Sequence, residues 1–170
     1  YPMDFVWYCH QNYPNAQVII FEKSKKLLAK VKVSGGGRCN VTNGCTTIKT
    51  LVAGYPRGSK KLKKAFRIFN NQHTQDWFKA RGVQLKTEAD NRVFPVSDDS
   101  QTIIDCLMRT TVRLGIGIET GKGVKQIIQK NERLQLLFSD EHKQTFDKII
   151  IATVGSPKLK GFELLATLGH

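Results

Sequence analysis

The sequence predicts an α/β fold that carries a nucleotide-binding site, and three observations support this prediction. Residues 18–22 are apolar and largely β-branched and end in Glu22, which is typical of a buried strand. A loop with three consecutive glycines follows at residues 34–43. From Ile116 onward the apolar residues alternate with a period of two, which indicates further strands. An acid at the end of a strand is how the second strand of a dinucleotide-binding βαβ unit presents a carboxylate to ribose hydroxyls.

The loop at residues 34–43 combines a bare backbone with polar side chains. Gly35, Gly36 and Gly37 carry no Cβ, so the backbone can adopt positive φ and approach a ligand closely. The side chains that follow offer forked donors, a thiol and amides, which can fix a phosphate or a polar ring edge; they are Arg38, Cys39, Asn40, Thr42 and Asn43. We therefore expect a nucleotide-cofactor site here.

The same stretches resemble a known family. The run IIFEKSKKLLAKVKVSGGGRCNVTN is similar to the signature of the YhiN/BaiN-like flavoproteins, which are NAD(P)/FAD-dependent oxidoreductases of the aminoacetone-oxidase type. Later blocks resemble the same family in the same order: YPRG at 55–58, DWF at 76–78, RGV at 81–83, RVFPVSD at 92–98, IAT at 151–153, GSPK at 155–158 and LGH at 168–170. The resemblance runs from about residue 17 to the end and covers the first part of such a protein.

The resemblance implies a partial Rossmann-like FAD-binding domain of the glutathione-reductase type, with a helical excursion and a β-meander. It implies FAD as the cofactor and NAD(P)H as the electron donor, with hydride passing to a small organic acceptor, such as an enone, or to oxygen. Glu22 and Lys23 would hold the adenosine side, and Val124 would present its backbone to the adenine. Gly35, Gly36, Gly37, Arg38, Cys39, Asn40, Thr42 and Asn43 would follow the pyrophosphate and the flavin. Ala152, Thr153 and Gly155 would close over the cofactor.

The resemblance also shows two departures from the family pattern. There is no glycine before Gly35, so the first strand and its GxGxxG phosphate loop are missing or degenerate. Val154 stands where the family usually has glycine. We expect a single incomplete FAD-binding domain: the nucleotide-binding strand and glycine loop at 17–49, a mainly helical excursion at 50–114, the meander at 115–155 and the start of a truncated remainder at 156–170. No catalytic residue can be named from this part.

Local patterns predict the elements in order. Residues 25–33 suggest a turn or short helix, and helices are expected at 59–70 and 72–81, the first with a buried stripe of Leu62, Ala65, Phe66 and Phe69 and the second stopped by Gly82. Strands are expected at 83–86 and 92–96. Ser97 or Asp98 is expected to cap a helix that runs to about Arg113 and ends at Gly115, with Ile103, Ile104, Leu107 and Leu114 on its apolar face. The meander strands are expected at 116–119, 124–128, 134–138 and 148–153.

Composition limits the functional classes. The 170 residues are 40% hydrophobic and 24% charged, which is ordinary for a globular domain. There is no apolar run of bilayer length and no signal-peptide pattern, so we expect a cytoplasmic protein and no membrane partner. The four cysteines and four histidines are dispersed, which favours neither a disulfide framework nor a metal site.

Other functions stay open at this point. The net charge of +13 is compatible with a basic nucleic-acid-binding module, although Phe66 and Phe69 fall at helical spacing rather than as a stacking platform, which makes a nucleic-acid partner the weaker alternative. Cys39 and Cys45 follow the glycine loop as the redox pair of a disulfide oxidoreductase would, but five residues separate them instead of four. An inactive truncated remnant of a flavoenzyme is a further alternative. The oligomeric state and the substrate have no signal in the sequence.

Overall fold

The computed structural model describes residues 12–153 together with Leu165 and Leu168. Its strands are β1 (Ile19–Glu22), β2 (Thr42–Asn43), β3 (Leu85–Thr87), β4 (Arg92–Pro95), β5 (Gly117–Thr120), β6 (Val124–Lys130), β7 (Arg133–Phe138) and β8 (Lys143–Phe146). Its helices are α1 (Ala29–Val33), α2 (Ile48–Ala53), α3 (Ser59–Ile68), α4 (Asn71–Lys79) and α5 (Ser100–Arg113), and a single 3-10 turn, Ser34–Gly37, follows α1. The predicted mixture of helices and strands is confirmed.

The chain divides into two compact units. The first unit comprises residues 1–27 and 111–170, and the second comprises residues 28–110. Each unit contains strands and buried apolar side chains of its own.

The first unit contains a parallel strand pair and an antiparallel meander. β1 pairs with β5 in parallel, with Ile19 opposite Gly117 and Glu22 opposite Thr120. β6, β7 and β8 form an antiparallel sheet in the order β6-β7-β8. Its core contains Phe138, whose ring centroid lies 4.8 Å from that of Phe21 on β1. The meander prediction is therefore confirmed for β6 and β7, whereas β5 belongs to the parallel pair.

The last strand of the meander differs from the prediction. Residues 148–153 form no strand. Residues 143–146, which lie between two predicted strands, form β8 against β7 instead. The turn needs only Asp140, Glu141 and His142, because Glu141 adopts φ +63° and the backbone N–H of Phe138 donates to the carbonyl of His142 at 2.9 Å. An apolar run such as residues 149–151 becomes a strand only beside a partner strand, and among the described residues none pairs with it.

The second unit contains a three-stranded antiparallel sheet in the order β2-β4-β3 and the helices. The predicted helices and strands are found within a few residues of their expected bounds, whereas β2 and α2 were not predicted as elements. Phe94 on β4 and Phe78 on α4 are fully buried, as are Ile103 and Leu107 on the predicted apolar face of α5. Ile104 and Leu114 are half-buried.

Two local predictions in the second unit are wrong. No residue of α3 is buried: Leu62 and Phe66 are half-buried, and Ala65 and Phe69 are exposed, because one face of a short helix at the surface of a small unit is only partly covered. The first turn of α5 is capped by Asp99 rather than by Ser97 or Asp98, since Oδ1 of Asp99 accepts from the backbone N–H of Gln101 at 2.8 Å.

In the first unit, the strand predicted at residues 18–22 is half-buried rather than buried.

Helix ends follow the expected glycine chemistry. Gly82 after α4 has φ +80° and Gly115 after α5 has φ +64°, the left-handed conformation in which a helix ends most easily on glycine. Across the described residues, no helix combines the length and the apolar character that a membrane crossing needs.

Candidate nucleotide site

The glycine loop adopts the left-handed backbone that its sequence predicts. Gly35, Gly36 and Gly37 have φ values of +56°, +69° and +87°, and Cys39 has φ +62°. A Cβ on Gly35 would lie 2.8 Å from the backbone nitrogen of Asn40 and 2.9 Å from Cε1 of Phe94, so only glycine fits there. A Cβ on Gly36 or Gly37 would meet nothing within 4 Å, so the outer side of the loop is open to a ligand.

Arg38 is held by groups of its own unit. Its Nη1 lies 2.5 Å from Oε1 of Glu88 and 3.5 Å from Oδ1 of Asp98, and its guanidinium lies 4.0 Å from the centre of the Phe94 ring. The hydrogen bond that Arg38 donates to Glu88 raises the pKa of Arg38 further above its ordinary value. Arg38 was predicted to face a phosphate; in the structure its donors contact carboxylates and its plane stacks on an aromatic ring, which fixes the loop beside β4.

The next residues of the loop are tied to β4 and to each other. Cys39 is fully buried, and its backbone N–H donates to the carbonyl of Ser34 at 3.0 Å. Oδ1 of Asn40 accepts from the backbone N–H of Val93 at 3.3 Å. Thr42 and Asn43 form β2, and Oδ1 of Asn43 accepts from the backbone N–H of Cys45 at 2.7 Å.

The arrangement of the two loop cysteines disfavours a redox disulfide between them. The backbone N–H groups of Val41 and Gly44 donate to carbonyls of the antiparallel partner strand, so residues 41–44 are extended. Such a stretch spans about 10 Å, because a strand rises roughly 3.3 Å per residue. A disulfide tolerates Cα atoms up to only about 7 Å apart, and this extended stretch lies between Cys39 and Cys45.

A cleft of about 400 Å³ opens within the second unit beside β2. Predicted site residues Asn40, Thr42 and Asn43 line it, together with Val41, Leu51, Tyr55, Phe66, Phe69, Asn70, Asn71 and Thr74. The Nδ2 of Asn71 donates to the carbonyls of Asn43 and Cys45 at 2.7 and 2.6 Å and so fastens β2 to α4. No sequence pattern indicated this cleft, because it is formed by residues from three helices and a two-residue strand.

In the first unit, Glu22 ends β1 at the carboxyl edge of the parallel pair. Its Oε1 accepts from the backbone N–H of Ser24 at 2.8 Å. The chain that leaves β5 returns to the same edge: Lys122 donates its backbone N–H to the carbonyl of Glu22 at 3.0 Å, and Gly121 donates to the carbonyl of Ser24 at 3.1 Å. We call residues 22–24 and 121–124 the nucleotide edge, since ligands of open parallel sheets bind at the carboxyl ends of strands.

Lys23 and Val124 belong to this edge. Gly123 is buried, and a Cβ there would lie 3.3 Å from Cγ of Lys23 and 2.8 Å from Oγ of Ser139. The backbone N–H and the hydroxyl of Ser139 both donate to the carbonyl of Gly123, at 2.8 and 3.0 Å. The structure thus brings Glu22, Lys23 and the start of β6 together, and their role on the adenosine side stays a prediction.

The sequence interpretation missed Ser24, Gly121, Lys122 and Gly123. The signal for them was the Gly-Lys-Gly sequence directly after a strand, which indicates a tight turn. Lys122 forms an ion pair with Asp140, which raises the pKa of Lys122 and lowers that of Asp140.

The remaining predicted residues lie apart from regular structure. Ala152 and Thr153 are exposed and belong to no strand, and Gly155 lies outside the described residues. The candidate set is therefore divided: Glu22, Lys23, Val124, Ala152 and Thr153 belong to the first unit, and the loop residues 35–43 belong to the second.

Comparisons with known proteins agree with the motifs. Residues 8–167 match the family described as HI0933-like protein Rossmann domain. The chain is 24% identical over 162 residues to the 3-dehydro-bile acid delta(4,6)-reductase of Clostridium scindens; the match covers 92% of this chain and 38% of that protein. A solved structure, the crystal structure of FqzB, shares 14% identity with a TM-score of 0.42 over 77% of this chain and 29% of its own, a likeness too low to support an inference.

The family match extends over most of the chain, and it agrees with the parallel β1–β5 pair and the glycine loop after β1. It confirms the resemblance to the YhiN/BaiN-like flavoproteins and the partial Rossmann-like fold class. The chain belongs to the HI0933-like family as a Rossmann-type domain, and the family implies a FAD-binding flavoprotein.

Proposed function

We propose that this chain is the FAD-binding part of an oxidoreductase that passes hydride from a reduced nicotinamide through FAD to a small organic acceptor or to oxygen. The chain spans 38% of the length of the reductase that it matches, so the activity of the whole protein is a proposal. The name of that relative describes the reduction of a 3-dehydro-bile acid, which agrees with an enone-type acceptor.

The observation that carries the proposal is the nucleotide edge of the first unit. Glu22 uses one oxygen to accept from Ser24, and a carboxylate has further lone pairs for ribose hydroxyls. The turn at residues 121–123 is fastened to the carbonyls of Glu22 and Ser24, so Val124 starts its strand beside the acid. An acid acceptor and an adjacent strand-start backbone are what an adenosine group needs for its ribose and its base.

The glycine loop of the second unit, taken by itself, also suits part of a nucleotide cofactor. Gly36 and Gly37 have left-handed backbone with open space where a Cβ would stand, which allows close approach of a phosphate or a ring. Gly36 and Gly37 would contact the cofactor there, while Arg38 acts through the loop that it holds. When bound, FAD would supply the two-electron redox chemistry, and this chain would position the cofactor and set the polarity around it.

The first test is whether the purified chain binds FAD. We expect a flavin absorbance spectrum that survives desalting, and we expect Glu22→Ala to lower FAD affinity about tenfold, since a lost charge-assisted hydrogen bond costs roughly 1.5–3 kcal/mol. Glu132→Ala is the matched control, because Glu132 is an exposed acid in the turn between β6 and β7. Equal affinity of the two variants would remove Glu22 from the site, and a colourless chain would contradict FAD binding.

The alternatives have less support. The extended stretch between Cys39 and Cys45 disfavours a disulfide oxidoreductase. A nucleic-acid-binding module rests on the basic residues alone, since Phe66 and Phe69 fall at helical spacing. We also propose that the enzyme is cytoplasmic.

A further inference from the structure

The positive charge of this protein is concentrated in one part of the chain. Residues 23–75 hold 13 of the 27 Lys and Arg residues and none of the 14 Asp and Glu residues, so they account for the whole net charge of +13. In the second unit, the exposed cations of α2, α3 and the loop between them form a basic surface: Lys49, Arg57, Lys60, Lys61, Lys63, Lys64 and Arg67. Among the described residues, no carboxylate forms an ion pair with any of the seven.

The cleft beside β2 adjoins this basic surface. Tyr55 and Phe66 line it with ring centroids 5.6 Å apart, and Phe69 lines it with 42% of its surface exposed. Asn43 and Asn71 also line it, and Nδ2 of Asn71 and Oδ1 of Asn43 are bonded within the protein. Aromatic faces of this kind hold a nucleobase by stacking.

The start of α3 adds a further preference for anions. The helix has no side-chain cap, and its first turn contains Lys60 and Lys61 and no acid. Cations at this end oppose the helix dipole, which favours negative charge there. A bound phosphate would relieve that repulsion, although the helix end alone would not make a site.

Helix geometry separates the cations of α3 by face. Residues three apart lie on the same side of a helix, so Lys63 lies on the same side as Phe66, which lines the cleft. Lys64 follows Lys63 by about 100°, which puts it about 160° from Phe66 on the far side. Of the cations of α3, Lys63 therefore lies nearest in angle to Phe66, and Lys64 carries the same charge on the opposite side.

We propose that this cleft binds a phosphorylated nucleotide, with its base against Tyr55 and Phe69 and its phosphates on Lys63 and the start of α3. Resting on the proposed function, the nucleotide is the reduced nicotinamide dinucleotide that carries a 2′-phosphate. That phosphate adds about 1.5 to 2 negative charges at neutral pH, which the basic surface favours over the unphosphorylated dinucleotide.

The size of the site favours a small ligand over a strand of nucleic acid. The cleft holds about 400 Å³, within the range of roughly 300–1,000 Å³ of small-molecule sites. Helix α3 is about 15 Å long at 1.5 Å per residue, whereas single-strand-binding folds contact about 4–16 nucleotides with successive stacking rings. The aromatic lining here is confined to the one cleft.

The test is a titration of the purified full chain with NADPH and with NADH, followed by nicotinamide fluorescence. We expect saturable binding, tighter for NADPH by about tenfold, and weakened by added salt because the phosphates are held by exposed charges. Lys63→Glu should weaken NADPH binding about tenfold and Lys64→Glu less than about twofold, because the two sites differ in distance from the ligand and not in charge change. Tyr55→Ala should also weaken binding, and Tyr55→Phe should retain it.

Three outcomes would overturn the inference: no saturable NADPH binding, equal losses from Lys63→Glu and Lys64→Glu, or tighter binding of a ten-nucleotide single-stranded DNA than of NADPH. Unfolding curves of each variant keep a folding defect from being read as lost binding. FAD retention is measured on the same samples, so the two proposals can fail separately. NADPH binding by a chain that retains no FAD would support this cleft and contradict the proposed function. FAD retention by a chain that does not bind NADPH would support the proposed function and contradict this cleft.

Discussion

Arg38 and Glu88 are joined by a contact of 2.5 Å between Nη1 and Oε1, across fifty positions of sequence. The contact links the glycine loop to the turn between β3 and β4, and Asp98 and the Phe94 ring surround the same guanidinium. The most conspicuous cation of the loop thus has its partners inside its own unit. It holds the loop in shape, and the open backbone of Gly36 and Gly37 is what the loop offers to a ligand.

Removing the Arg38 charge should therefore loosen the loop as well as lower stability. We expect Arg38→Met to reduce the urea midpoint of unfolding because Glu88, partly buried, keeps only its more distant partner Arg92. Arg38→Lys should recover only part of the loss, since lysine lacks the planar fork and the stacking surface. The double variant with Glu88→Gln should lose less than the sum of the single variants, and additive losses would contradict the coupling.

The two ends of the glycine triplet should respond differently to alanine. Gly35→Ala adds a methyl group within 3 Å of Asn40 and Phe94 in a left-handed backbone, and we expect a cost of about 2–4 kcal/mol in unfolding free energy. Gly37→Ala meets open space, so only the backbone term of about 1–2 kcal/mol applies. Chemical denaturation of the two variants measures the difference, and equal costs would mean that the Gly35 contacts are relaxed in solution.

The aromatic core of the first unit should dominate its stability. Phe138 is 1% exposed and contacts the Phe21 ring, so Phe138→Ala should cost about 3–5 kcal/mol. Tyr13→Ala is the control, because Tyr13 is 64% exposed and exposed substitutions usually change stability by less than about 0.5 kcal/mol. Thermal unfolding followed by circular dichroism distinguishes them, and similar curves would contradict the assigned core.

Acid pH should weaken the ion pair between Lys122 and Asp140. The pKa of Asp140 is lowered from its ordinary 3.8 by Lys122, so its contribution to stability is complete above 3.8 and is lost as the pH falls through the lowered pKa. The pKa of Lys122 is raised from 10.5 mainly by Asp140, so its contribution is complete below 10.5 and is lost as the pH rises through the raised pKa.

The measurement is the urea midpoint against pH for the unmodified chain and for Asp140→Asn. The variant should be less stable between the two limits, and its stability should change less with pH at both ends. Glu132→Gln serves as the control, since Glu132 lies in an exposed turn. A pH profile of Asp140→Asn that parallels the unmodified chain would show that this pair does not contribute.

Local sequence chemistry was enough for the elements whose signals are contained in a few adjacent residues. The strand ending at Glu22, the left-handed glycines at 35–37, the helices of residues 59–113 and the turns at Gly82 and Gly115 were all predicted, because φ preference and apolar period are properties of the local chain. The family motifs act at the same level, since they are runs of neighbouring residues. The YhiN/BaiN resemblance and the α/β class followed from them.

Pairing and burial required the tertiary structure. The apolar residues 149–151 were assigned a strand that they do not form, while polar β8 pairs with β7, because a strand needs a partner and periodicity does not identify one. The exposed side of α3, the cap at Asp99 and the charge partners of Arg38 depend on which distant residues come together. The local backbone and the family followed from runs of neighbouring residues, whereas long-range packing decided which charges are neutralised and which, like those of α3, stay exposed.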